Sequence, residues 1–231
     1  MPATVELLAK ATRFIETRED ISTMVTENIR LNFRNGSGDT NNSSILIFQQ
    51  NVAESFGEIA VAWKVIKNCG RLDTHPFNFP LQFQVSAKDS WGNYTPQLTA
   101  YDGQAFDMTL DNSGDVLSLS KNSATSPNEV EVRNQLKQGA ISACIFKDGK
   151  LLATKTNMAP GQKAVFQFQP RIYIGVVSQV SEGQVIDSAI ISQVNTEINL
   201  FGITSADIVM TGGGPGPNSS PFEFHLENIN Q

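Results

Sequence analysis

Two histidines, at positions 75 and 225, are the only imidazoles in this 231-residue chain, so Ser/His, Cys/His or His-metal chemistry would have to run through them. Nucleophilic catalysis needs a base beside the nucleophile, and His is the side chain whose ordinary pKa suits that task. His225 lies in Phe222-Glu223-Phe224-His225-Leu226-Glu227, so on an extended segment Glu223 and Glu227 flank it on one face. Such a carboxylate–imidazole row can hold a metal, or it can be the wetted face of a strand; the second reading is the simpler. His75 sits in Thr74-His75-Pro76-Phe77, which reads as a proline-restricted loop. No G-x-S-x-G elbow accompanies either ring, and nothing in their spacing favours a two-His-one-carboxylate iron site. The expectation is a protein that is not an enzyme, with no catalytic residues, no metal and no cofactor.

Three loops invite a ligand reading. Thr211-Gly212-Gly213-Gly214-Pro215-Gly216-Pro217-Asn218 has the glycines of a phosphate loop but lacks the Lys-Ser/Thr, and it leads into a strand-like run. It is expected to connect the last two strands. Asp111-Asn112-Ser113-Gly114-Asp115 misses the spacing and terminal Glu of a calcium loop and reads as a hairpin turn. The third, Lys88 to Pro96, mixes Trp91 and Tyr94 with Asp89 and Asn93. An aromatic face beside a carboxylate and an amide is what a sugar needs, because its CH groups stack while its hydroxyls find hydrogen bonds. The competing and preferred reading folds Trp91 back over the end of the sandwich and uses Asp89 and Asn93 as turn formers. If the chain has a recognition loop, it is this one.

The elements that would position these loops alternate with a period of two. Ile29, Leu31 and Phe33 interleave with Arg30, Asn32 and Arg34, and Phe222, Phe224 and Leu226 with Glu223 and His225. Each such segment buries one face and wets the other. Strands are expected near 28–34, 44–50, 59–66, 80–86, 105–110, 116–120, 129–133, 140–147, 151–156, 163–169, 171–177, 190–200, 206–210 and 222–229. Runs 59–66 and 140–146 are apolar on both parities, as central strands covered on both faces are. In 190–200 strict alternation favours a strand over a helix. Asp148-Gly149 is the best tight-hairpin signal. The expected fold is mainly β, an antiparallel β-sandwich over 23–231.

Residues 1–22 are the exception. On a helix from Pro2 to Thr17, Leu7, Leu8, Ala11, Phe14 and Ile15 share one arc opposite Glu6, Lys10, Arg13 and Thr17. About four turns are too short to persist alone in water, so this amphipathic helix must dock on its own sheet, on another subunit or on a membrane.

Hydrophobic residues make up 40% and charged residues 17%, too apolar and too regular for disorder. The net charge of −6 and the lack of a basic cluster argue against nucleic acid. Cys69 and Cys144 form no CxxC or Cys/His group and read as two buried thiols. There is no signal-peptide pattern and no apolar run of the roughly 20 residues a bilayer needs, so the expected location is cytoplasmic, with non-classical release left open.

One amphipathic helix on a β-sandwich resembles, in plan, pore-forming proteins of the actinoporin type. That resemblance implies a membrane-active protein that releases its helix, but the chain matches none of their motifs and has only 3 Tyr and 2 Trp for a headgroup belt. The leading expectation is a non-enzymatic interaction protein that self-associates into a homo-oligomer or binds a partner surface. The alternatives are a pore-forming, toxin-like protein and a glycan-binding module.

Overall fold

A computed structural model describes residues 28–53, 58–194 and 196–231; Leu7, Leu8, Ala11, Phe14 and Ile15, the apolar arc of the expected helix, lie outside the described residues. Among the described residues the chain is mainly β and forms four sheets. The first runs β17 (Ser220–Asn230), β16 (Ser205–Gly213), β1 (Asn28–Asn35), β5 (Thr74–Pro80). The second runs β15 (Thr196–Asn199), β14 (Arg171–Val177), β2 (Ser44–Phe48), β4 (Lys64–Ile66). The third runs β3 (Glu58–Ala60), β12 (Lys150–Met158), β11 (Ile141–Lys147), β6 (Phe83–Lys88), β7 (Leu98–Ala100). The fourth runs β13 (Lys163–Phe166), β10 (Val130–Asn134), β8 (Ala105–Asp111), β9 (Gly114–Leu119). The order is nested: β6 to β13, with β3, build the third and fourth sheets, and the strands on either side of them in sequence build the first and second.

Alternation works as expected in β1, where Ile29, Leu31, Phe33 and Asn35 are buried and Asn28, Arg30 and Arg34 are exposed. Asp148 and Gly149 take positive φ, 55° and 68°, and close the β11–β12 hairpin. The 140–147 run is a central strand as expected, with β12 on one side and β6 on the other. Inward residues of all four sheets, among them Phe33, Ile47, Val85, Phe106, Ile145, Ile174 and Ile208, join one buried cluster. Each large side chain fully buried there contributes about 2 kcal/mol of transfer free energy.

Four expectations are corrected. The sheets are not wholly antiparallel: β1 pairs with β16 in parallel (Phe33 opposite Ile208), and β8 with β10 (Phe106 opposite Val132). A strand buried on one face alternates identically whichever way its neighbour runs, so the pattern does not encode direction. The 59–66 run is not one central strand. β3 ends the third sheet and β4 the second, and Val61, Ala62 and Trp63 cross between them, all buried. Residues that hand the chain from one sheet to another meet core on both parities.

Residues 190–200 are not one strand either. Asp187 Oδ1 accepts from the Ile190 N–H at 2.9 Å and caps a short helix α1 (Ser188–Gln193) before β15 begins. His75, finally, is not in a loop. It lies on β5 opposite Phe33, on the inward parity with Phe77 and Phe79. β5 is an edge strand, where a proline without an N–H is tolerated.

Candidate functional site

Lys147 is the last residue of β11, on the same parity as the buried Ile141, Ala143 and Ile145, and it is only 2% exposed. Its neighbours hold it from three directions. The buried Trp63 indole donates its Nε1–H to the Lys147 carbonyl oxygen at 3.0 Å. Phe79 of β5 lies 3.8 Å from the Lys147 Nζ, ring centroid to nitrogen, and Phe83 of β6 lies 4.7 Å away. Rings carry negative faces, so both contacts favour the ammonium. Trp63 in turn meets Phe79 edge-on at 5.6 Å, and Phe83 meets Phe168 at 5.7 Å. A run of rings thus joins the first sheet to the third with one amine threaded between them.

Lys147 is also among the residues that line an open cleft of about 850 Å3. Phe83, Phe168, Leu81, Phe201 and Ile203 supply its apolar wall. The far lip is the turn after β15, fixed by the Leu200 N–H donating to the Pro170 carbonyl at 2.7 Å and the Phe201 N–H donating to Asn199 Oδ1 at 2.9 Å. This turn leaves Phe201 78% exposed at the mouth. Asp102 and Arg30 also line the cleft. Burial pushes the Lys147 amine down to about 7, against a smaller upward pull from Asp102. Burial likewise raises the Asp102 carboxyl, partly offset by Lys147.

The residues singled out from sequence lie elsewhere. Asp89, Trp91, Asn93 and Tyr94 form a turn after the opposite end of β6 from Phe83. Asp89 Oδ1 accepts from the Trp91 and Asn93 N–H groups, both at 2.8 Å, and Oδ2 accepts from Asn93 Nδ2 at 2.9 Å. The Asn93 side-chain hydrogen bond leads in holding this carboxyl below its usual range. The two polar residues act as turn formers, as expected. Trp91 does not fold back over the core: it is 88% exposed, and Tyr94 is 54% exposed with the Lys88 ammonium 5.5 Å from its ring.

The histidines face opposite sides of the first sheet from its two edge strands, His75 inward on β5 and His225 outward on β17. His225 Nε2 lies 3.2 Å from Glu227 Oε1 and both are exposed. Among the described residues, no group of three or more His, Cys, Asp or Glu side chains is placed to hold a metal. Cys69 and Cys144 are buried free thiols, and burial raises both, Cys69 to about 11.

The glycine-rich run has a structural use. Gly38 donates its N–H to the Gly212 carbonyl at 2.8 Å, and a Cβ on Gly212 would lie 2.0 Å from the Pro221 carbonyl oxygen. Among the described residues no helix is long and apolar enough to cross a membrane.

Comparison with protein-family models, curated proteins and solved structures returns no match for this chain.

Proposed function

We propose that this protein is a non-enzymatic binding module, a β-sandwich whose cleft beside Lys147 takes up an apolar small molecule. The observation that carries this reading is the cleft itself. Its volume, about 850 Å3, is in the range of small-molecule sites, its long wall is Phe83, Phe168, Leu81, Phe201 and Ile203, and it adds only a few charged groups. The sandwich reading draws support from the buried cluster to which all four sheets contribute.

Fluorescence titration with N-phenyl-1-naphthylamine, a neutral apolar probe, tests it. One saturable site per chain is expected, weakened at least tenfold by Phe201→Asp, a change at an exposed position. Absence of saturable binding, or equal binding by the variant, refutes it.

A second reading, a glycan-binding turn, is favoured by one observation: the Trp91 indole stands almost wholly in solvent beside Tyr94. A glycan array read against Trp91→Ala decides it, since a glycan bound equally by both forms does not use this turn.

A further inference from the structure

We infer that the ligand of this cleft is an apolar monocarboxylate, its carboxylate received by the Lys147 ammonium and its chain laid along Phe83, Phe168 and Ile203. The inference rests on the binding reading above and names the ligand class.

Lysine is almost never fully buried without a partner, because removing an ammonium from water is costly unless it is paired or hydrogen-bonded. Lys147 is 2% exposed. Among the described residues, no carboxylate lies within ion-pair distance of its Nζ and no acceptor is within hydrogen-bonding reach. Its close partners are the faces of Phe79 and Phe83. Ring faces attract a cation but accept no conventional N–H hydrogen bond of full strength, and the cleft that Lys147 lines is the space open to an acceptor. A group that fills the cleft and offers two acceptor oxygens completes the site.

Charge points the same way. The chain as a whole carries −6. The cleft lining has two cations, Arg30 and Lys147, against one carboxylate, Asp102, which leaves one positive charge in excess. A second negative group at the far end of the chain would be set against the apolar side chains of Phe168 and Ile203, so a monoanion is favoured over a dianion. The uncharged lining combines Phe83, Phe168, Leu81, Phe201 and Ile203, which match an alkyl or aryl chain, with the polar side chains of Asn28, Asn78, Gln169 and Thr204.

The test is displacement of N-phenyl-1-naphthylamine at pH 6 by decanoate, by decanol and by decane-1,10-dioate, each as a separate probe. Decanoate is expected to displace at least tenfold more tightly than either of the others, and Lys147→Met to bring decanoate down to the level of decanol. A readout on the unaltered chain stands beside the variant. Decanoate, and not decanol, should protect Lys147 from reductive methylation by formaldehyde with cyanoborohydride as the hydride donor, followed by mass spectrometry.

Equal displacement by decanoate and decanol, or decanoate preference retained in Lys147→Met, overturns the inference while leaving the binding reading intact. Equal protection of Lys147 by both probes does the same. Failure of the fluorescent probe and of every displacing probe to bind removes both.

Discussion

The Trp63 indole donates its N–H to the Lys147 carbonyl oxygen at 3.0 Å, so a buried ring in the crossing between the third and second sheets fixes the end of β11 and the lysine on it. Trp63→Phe removes that donor from the Lys147 carbonyl oxygen and shrinks the ring that packs on Phe79. The expected loss is about 2 kcal/mol, read from the urea midpoint at unchanged slope.

Lys147→Met tests the cost of the buried amine. The folded-state value of about 7 lies below the ordinary 10.5. Between those values the unfolded chain binds more protons, so wild-type stability rises with pH across that window. Met carries no charge to desolvate. At pH 6 the variant is therefore expected to be more stable by about 1–4 kcal/mol, and the gap should close as pH rises from 7 towards 10.5. Urea melts at pH 6, 8 and 10 measure it.

Glu131 carries the opposite sign. Its side chain is wholly buried, and Arg133 Nη2 lies 2.6 Å from Oε2 while Lys163 and the Thr125 hydroxyl reach Oε1. Burial alone would raise this carboxyl, but Lys163, Thr125 and Arg133 outweigh it and hold it at about 2, below the ordinary 4.5. Its contribution is present above pH 4.5 and is lost as pH falls towards 2. Glu131→Gln leaves two cations facing a neutral amide. It is expected to cost about 3 kcal/mol at pH 7 and progressively less in acid.

Gly212→Ala probes the glycine-rich run. φ is +82° there, and an added Cβ would stand 2.0 Å from the Pro221 carbonyl oxygen, which is backbone and cannot swing aside. A loss of about 3 kcal/mol is expected. By contrast Gly214→Ala meets no atom within 4 Å and carries only the cost of its φ of +116°. Thermal melts of the two variants compare them.

Parity carries most of what the sequence reveals, and also marks its limits. β1, β11 and the Asp148-Gly149 hairpin are legible because one buried face and one turn need specific residue types at short range. Lys147 was not read from the sequence, although it continues the inward parity of Ile141, Ala143 and Ile145. A lysine beside Asp-Gly instead reads as the solvated end of a hairpin. β5 was hidden by Pro76 and Pro80, which an edge strand accepts. The direction of Trp91 depends on how Asp89 organises its turn, and aromatic content alone does not give it. The cleft wall brings Leu81 and Phe83 to Phe168 and Phe201, residues from distant parts of the chain. Those juxtapositions come from sheet order, which no local pattern records.

Amide chemical shifts of the isotope-labelled chain, followed while decanoate is added, test the central claim most directly. Saturable shifts are predicted at Phe83, Lys147, Phe168 and Ile203, with Trp91 and Tyr94 unmoved. Shifts centred on the Trp91 turn, or none at the cleft, would contradict it.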